Sequence, residues 1–170
     1  GLDDMYCCGP EVDPVLADMG IRALKSFGVK NRFFHLEWFV LKSDHPYLGK
    51  KGTIVPLEAN MRPAGAYTPD LINFANSTNC YEIFADSIAF DENRQYMGHQ
   101  KYFAGAPSRR NNLEYAHTKE EVLEKYRNNI CYYGEYPMAL RDDMGDLFFM
   151  AKFLTLDELL EFDEFVRGKK

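Results

Sequence analysis

A single glutamate inside an apolar segment limits the folds open to this chain more than any other feature. Residues 33–41 read FFHLEWFVL, a run too aromatic for a surface helix and too uniformly apolar for an edge strand. The run therefore predicts a strand buried on both faces, with Glu37 in its middle. An ionised carboxylate is costly to bury without a partner. Either the face that carries Glu37 reaches solvent or Glu37 has a functional partner, and this strand alone leaves both alternatives open.

The next β-type segment, residues 53–60, offers such a partner. The polar connection between the two segments is too short for a crossover helix, so the strands should pair as an antiparallel hairpin, whose register the sequence does not determine. Glu58 and Asn60 share one face of the second strand, and Arg62 continues the series. If Glu37 points to that face, two carboxylates and an amide oxygen converge, which is a ligand set that suits Mg²⁺.

This combination resembles the C-terminal, metal-binding subdomain of the ATP-grasp superfamily, which carries an acidic residue on one strand and the pattern E-x-N-x-R on the next. The matching positions are Glu37, then Glu58, Asn60 and Arg62, followed by the segment PAGAYTPDLINFA, and the resemblance covers roughly the first half of the chain. It implies that Glu37, Glu58 and Asn60 hold magnesium and its ATP. It also implies that Arg62 contacts phosphate or the activated carboxylate. Phe39 resembles the apolar residue that lies against adenine, although the sequence alone favours an ordinary core phenylalanine.

ATP-grasp ligases use ATP to activate a carboxylate as an acyl phosphate, which an amine or a similar nucleophile then attacks. The resemblance implies a carboxylate-amine ligase related to biotin carboxylase and the carbamoyl phosphate synthase subunits, with a carboxylate substrate that the sequence does not identify. In this superfamily a partner subdomain supplies lysines for the phosphates and a hinge strand for adenine. Nothing before Glu11 has room for it, and the chain begins with Gly1. We therefore expect a fragment that is inactive alone and works with missing N-terminal subdomains of the same enzyme.

A second hypothesis, from another class, is a non-catalytic α+β binding or assembly module that keeps the hairpin for packing. The orientation of Glu37 and Glu58 separates the two hypotheses, because carboxylates on opposite faces would exclude a shared metal. His35 shares a face with Glu37, so a transition-metal site is also conceivable. The other three histidines fall at unrelated spacings, however, which favours a structural role for His35.

The surrounding pattern predicts an α+β fold in which helices pack on an antiparallel sheet. A first helix begins with Asp13 as its cap and Pro14 in its first turn, and it ends at Gly28. Two short helices follow the hairpin, one begun by the Thr-Pro-Asp sequence at residues 68–70 and one over residues 81–88. Both are expected to pack against the hairpin.

The later part of the chain predicts a small C-terminal α+β module. Strands are expected at residues 101–106, 130–136 and 147–153. Capping boxes that begin at Thr118 and Thr155 start two helices. We therefore predict two domains. Residues 1–93 form the ATP-grasp C-terminal subdomain, with its lead-in helix, hairpin and two helices, and residues 94–170 form a β-α-β-β-α module.

Composition and charge exclude several classes of function. The formal net charge of −6 argues against a nucleic-acid partner, because binding to a phosphate backbone requires a basic surface. No run of about 18 apolar residues and no charged-then-apolar leader occurs, so neither a membrane span nor a signal peptide is predicted. The four cysteines lack metal-ligand spacing and indicate reduced thiols in a cytoplasmic protein. Tyrosine-rich residues 132–136 predict core or interface packing, which is compatible with a homodimer.

Overall fold

The computed structural model describes residues 5–95 and 100–170 and confirms an α+β fold with antiparallel sheets and packed helices. Within the described residues the strands are β1 (Met5–Cys8), β2 (His35–Val40), β3 (Ile54–Asn60), β4 (Phe103–Arg109), β5 (Ile130–Glu135) and β6 (Leu147–Phe153). The helices are α1 (Pro14–Ser26), α2 (Thr68–Asn76), α3 (Cys80–Phe90), α4 (Lys119–Lys125), α5 (Arg141–Met144), α6 (Leu156–Arg167) and a short 3₁₀ helix (Met138–Leu140). Among these helices none is long and apolar enough to cross a membrane.

The chain divides into two compact units. The sheet unit comprises the described residues within Gly1–Glu11, Tyr67–Glu82 and Gln95–Lys170, and the hairpin unit comprises Val12–Ala66 and Ile83–Arg94. Helix α3 begins in the sheet unit and ends in the hairpin unit. These units differ from the predicted segments 1–93 and 94–170, because β1 and α2 lie early in the chain but pack with strands from its later part.

The sheet unit is built on four antiparallel strands in the order β1-β4-β6-β5. The three strands predicted for the later part of the chain are present as β4, β5 and β6. The sequence does not predict β1, because a strand of four residues is too short to show an alternating pattern. Its pairing with β4 places it at the sheet edge, where Met5 lies opposite Pro107 and Cys8 lies opposite Ala104.

Both predicted capping boxes are present. Thr118 Oγ1 accepts a hydrogen bond from the backbone N–H of Glu121 at 3.2 Å, and Glu121 Oε2 accepts one from the N–H of Thr118 at 2.7 Å. Thr155 and Glu158 make the same reciprocal pair at the start of α6. Each box satisfies two backbone donors that a helix start otherwise leaves without a partner, so α4 and α6 begin where the sequence predicts.

Helices cover both faces of the sheet. Helices α4 and α6 pack on one face around a cluster of buried side chains: Val122, Tyr126, Phe149, Ala151, Phe153, Leu159, Phe162 and Val166. Helix α2 packs on the other face with a second cluster: Leu71, Ala75, Ala104, Ala106, Tyr136, Phe148 and Met150. Strand β6 contributes to both clusters and is therefore buried on both faces. The prediction that α2 packs against the hairpin is wrong, because its apolar residues Leu71 and Ala75 face this sheet.

The hairpin unit contains the predicted antiparallel pair β2 and β3, with α1 against one face. Asp13 Oδ1 accepts from the backbone N–H of Val15 at 2.8 Å, and Gly28 has a φ of +64°, which confirms the predicted start and end of α1. Helix α1 approaches β2 closely at Gly20. A Cβ atom added there would lie 3.4 Å from Leu36 Cδ1.

The expectation that β2 is buried on both faces is wrong. None of the residues of the hairpin unit is buried, and Phe39, on the face that carries Glu37, is 55% exposed. The physical reason is that this sheet has two strands and α1 covers one face, which leaves the other face open. The later part of α3 belongs to this unit, where Phe84 packs edge-on against Phe33 with ring centroids 5.4 Å apart.

We expect Gly105→Ala to destabilise the sheet unit by about 1–3 kcal/mol, because the new methyl group would overlap Cδ1 of the buried Leu159. Gly134→Ala is the matched control, since the nearest atom to its added Cβ is 3.6 Å away. The control should change the free energy of unfolding by less than about 0.5 kcal/mol. Urea unfolding followed by circular dichroism measures both values. Equal effects of the two substitutions would contradict the close approach of α6 to β4.

Candidate metal centre

The pairing of β2 with β3 sets the geometry of the predicted metal site. Glu37 lies directly opposite Glu58, and His35 lies opposite Asn60. Because side chains alternate along a strand, His35 and Glu37 share one face of β2, and Glu58 and Asn60 share one face of β3. Both pairs project to the same side of the hairpin, as their side-chain contacts show. The shared face on which the ligase hypothesis depends is therefore present.

A β-bulge lies next to the two glutamates. Trp38 pairs with Pro56, so that Leu57 is the extra residue on β3. Proline cannot donate to a strand ladder and is confined to edges and bulges of sheets. Pro56, inside an otherwise regular β-type segment, was the sequence signal for this interruption.

Four polar side chains converge on the shared face. His35 Nε2 lies 3.5 Å from Glu37 Oε1 and 3.6 Å from Glu58 Oε1. Asn60 Nδ2 lies 3.0 Å from His35 Nε2 and donates to Glu58 Oε1 at 2.5 Å. One possible ligand atom from each of His35, Glu37 and Glu58 lies within 4.8 Å of the other two.

The cluster is open to solvent and carries an excess of negative charge. The side chains of Glu37 and Glu58 are each 48% exposed, whereas that of His35 is 17% exposed. In the part of the chain that the structure describes, neither glutamate forms an ion pair with a lysine or an arginine. Like charges directly opposite each other across a strand pair are destabilising. A divalent cation between the carboxylates would relieve this repulsion.

The donor set fits a divalent cation. Mg²⁺ holds oxygen ligands at about 2.0–2.1 Å, so two atoms bound to one ion are at most about 4.2 Å apart. The candidate ligand atoms lie within 4.8 Å of one another. Rotation of the half-exposed glutamate side chains can bring them to the separation of about 4.2 Å or less that one ion requires. Asn60 presents its amide nitrogen to the cluster, and half a turn of the amide presents Oδ1 instead. His35 adds a nitrogen donor that the predicted ligand set does not contain.

Arg62 and Phe39, the other predicted site residues, lie on the same hairpin. The backbone carbonyl of Arg62 is 3.4 Å from His35 Nδ1, and Arg62 Nη1 donates to the carbonyl of Pro63 at 3.0 Å. Phe39 follows Glu37 on the same face of β2 and is more than half exposed. The phosphate contact of Arg62, the adenine contact of Phe39 and the metal-binding roles of the acidic residues stay predictions.

The cysteines lie in surroundings that disfavour a reactive thiolate. All four are free, and they are Cys7, Cys8, Cys80 and Cys131. Burial raises the pKa of each thiol above its ordinary value. This shift disfavours the thiolate, which is the nucleophilic form of cysteine.

Comparison with known proteins adds a structural relative. No protein-family model matches the chain, and no curated protein matches its sequence. Its structure is similar to the crystal structure of phosphoribosylglycinamide synthetase from Anaerococcus prevotii, an ATP-grasp enzyme, with a TM-score of 0.57 and 13% sequence identity. The chain has an ATP-grasp-like fold. The match covers 92% of this chain but 42% of the synthetase, so the chain spans less than half the length of that enzyme.

We expect Glu37→Gln to stabilise the hairpin unit by about 0.2–1 kcal/mol in metal-free buffer, because it removes the repulsion between directly opposed carboxylates. Trp38, the single tryptophan of the chain, lies next to Glu37, so its fluorescence reports unfolding of this unit in urea. The matched control is Asp18→Asn, which removes a charge from the same unit but from an exposed ion pair with Arg22 at 2.9 Å.

The control should be neutral or slightly destabilising. If Glu37→Gln instead lowers the free energy of unfolding by as much as the control does, Glu37 has a structural role. That result would contradict the electrostatic explanation of the cluster.

Proposed function

We propose that this chain is the C-terminal part of an ATP- and Mg²⁺-dependent ligase of the ATP-grasp type. Such an enzyme activates a carboxylate as an acyl phosphate for attack by an amine or a similar nucleophile. The observation that carries the proposal is the direct pairing of Glu37 with Glu58, beside Asn60, in a chain with an ATP-grasp-like fold. Packing alone gives no reason to oppose two carboxylates across a hairpin, because that pairing is unfavourable.

In the proposed mechanism Glu37 and Glu58 supply the negative charge that holds magnesium, and Asn60 supplies an amide oxygen. Glu37, Glu58 and Asn60 would hold a magnesium ion, which would supply positive charge to the phosphates of ATP during phosphoryl transfer to the carboxylate. The two glutamates are half exposed, which leaves their solvent side accessible to phosphate oxygens. The residues of the hairpin thus bind and orient the phosphate end of the nucleotide.

Arg62 is proposed to bind a phosphate or acyl-phosphate oxygen. Its planar guanidinium can donate two parallel hydrogen bonds to such a group, which an ammonium cannot do. It now donates to the neutral carbonyl of Pro63. Exchange of that acceptor for a charged phosphate is favourable, because hydrogen bonds to ionised groups are roughly twice as strong as bonds between neutral groups.

The exposed apolar side chains of the hairpin support the proposal that further subdomains complete the ATP site. Phe39, on the face that carries Glu37, is more than half exposed, and so are Val40 and Leu57 elsewhere on the hairpin. An exposed aromatic side chain beside a polar site is compatible with a surface that a ligand or another element covers. We assign Phe39 to adenine, and we assign cover of the remaining surface to N-terminal subdomains of the same enzyme, which would also supply the phosphate-binding lysines.

A non-catalytic binding or assembly module is the second candidate. One observation favours it: every buried residue of the described chain lies in the sheet unit, which has its own core on both faces of the sheet. In such a module the sheet unit would carry the function, and the hairpin would bind neither metal nor nucleotide.

We expect the 170-residue chain to bind Mg-ATP with a dissociation constant on the order of 1 mM, because contacts to the phosphates alone barely offset the cost of immobilising the nucleotide. Binding should require magnesium and should be lost in the double variant Glu37→Gln/Glu58→Gln. Phosphorus NMR of ATP at a fixed concentration of free magnesium measures the binding.

The matched control is Asp142→Asn/Asp143→Asn, which removes two exposed charges from α5 and should leave ATP binding unchanged. Magnesium-dependent binding that survives the loss of both glutamates would contradict the ligase proposal. Micromolar affinity would contradict the need for further subdomains, and the absence of any ATP binding would favour the binding or assembly module.

A further inference from the structure

The hairpin cluster contains a histidine nitrogen that an ordinary magnesium site does not require. His35 Nε2 lies 3.5 Å from Glu37 Oε1, 3.6 Å from Glu58 Oε1 and 3.0 Å from Asn60 Nδ2. The ring is mostly buried, with 17% of the side chain exposed, whereas both glutamates are half exposed. The imidazole is thus the fixed member of the set and the carboxylates are the adjustable ones.

The neighbours of His35 suit the tautomer that a metal ligand requires. Nδ1 lies 3.4 Å from the backbone carbonyl of Arg62, which can only accept a hydrogen bond. Nε2 faces the cluster, 3.5 Å and 3.6 Å from oxygens of the two carboxylates. With its hydrogen on Nδ1, the ring would donate to the carbonyl of Arg62 and offer the lone pair of Nε2 to a metal.

This is the arrangement that metal-bound histidines adopt. In such sites one ring nitrogen binds the ion, and the other donates its N–H to a carboxylate or a backbone carbonyl, which holds the ring in place. The carbonyl of Arg62 has that second role here. Because Arg62 lies two residues after the end of β3, the same hairpin pairing that opposes the glutamates also brings the carbonyl of Arg62 to the imidazole.

We propose that His35 is a metal ligand and that it makes this site select Mn²⁺, or another first-row transition ion, over Mg²⁺. The inference rests on the proposed function in so far as both need a metal at Glu37 and Glu58. Mg²⁺ is a hard ion that takes oxygen ligands, whereas imidazole suits transition ions and carboxylates suit Mn²⁺ as well as Mg²⁺. One nitrogen beside two carboxylates and an amide oxygen is therefore a better set for Mn²⁺.

A structural histidine would have different consequences. In that role His35 would only tie β2 to the turn after β3 through the carbonyl of Arg62. Replacing His35 would then alter stability but would not alter the preference between two ions of equal charge. The ratio of the Mn²⁺ and Mg²⁺ affinities is therefore the readout that separates a ligand from a structural residue.

The test uses His35→Gln, whose amide can place an oxygen near the position of Nε2 and so convert the mixed set into an all-oxygen set. Mn²⁺ binding to the full chain without nucleotide is followed by the electron paramagnetic resonance signal of the free ion, and Mg²⁺ is added as the competitor. We expect the ratio of Mn²⁺ to Mg²⁺ affinity to fall about tenfold in His35→Gln. His45→Gln is the matched control, because His45 lies in the connection between β2 and β3, where its Nδ1 accepts hydrogen bonds from the backbone N–H groups of Tyr47 and Leu48.

A second measurement does not depend on the variant. Electron spin echo modulation of Mn²⁺ bound to the unaltered chain should show a directly coupled imidazole nitrogen. An unchanged affinity ratio in folded His35→Gln, or bound Mn²⁺ without nitrogen coupling, would overturn the inference and leave the magnesium site of the proposed function standing. If neither ion binds the unaltered chain, both the inference and the proposed metal site fail.

Discussion

Two carboxylates face each other across β2 and β3, and this opposition of Glu37 and Glu58 is the interaction on which the site depends. It is unfavourable in isolation, since like charges at directly paired positions repel. The proposed function would give it a chemical use, since paired carboxylates are ligands that suit a divalent cation. Asn60 and His35 occupy the neighbouring pair of the same ladder, so one register determines the positions of all four side chains.

The buried core and the candidate site lie in different units of the chain. The sheet unit contains the buried core, with aromatic and aliphatic side chains on both faces of β4 and β6. The hairpin unit buries no residue completely and leaves Phe39 and Leu57 exposed beside the polar cluster. Binding sites are commonly drawn from less stable parts of proteins, because such parts must open, close or accept a partner.

The predictable features were those encoded locally. The cap at Asp13, both capping boxes and the strand β6 follow from short patterns with a direct physical meaning, and the alternation of Glu58 with Asn60 placed them on one face. The features that could not be predicted depend on distant residues. β1 exists through its pairing with β4, α2 packs on a sheet formed later in the chain, and the burial of β2 depended on a covering layer that the local pattern does not reveal. The position of His35 relative to Glu58 and Asn60 depends on the register of the hairpin. Pro56 indicates an irregularity in that register but does not determine it.

The proposed function requires that the face bearing Glu37 and Glu58 binds the metal-bound phosphates of a nucleotide. Paramagnetic broadening of amide resonances by Mn²⁺ added together with ATP locates that complex directly on the isotopically labelled chain, because the broadening falls steeply with distance from the ion. We expect the broadening to be centred on residues 35–39 of β2 and 58–60 of β3 and to disappear when Glu37 and Glu58 are both replaced by glutamine. Broadening centred on the acidic start of α5 or α6, or spread evenly over the surface, would contradict it.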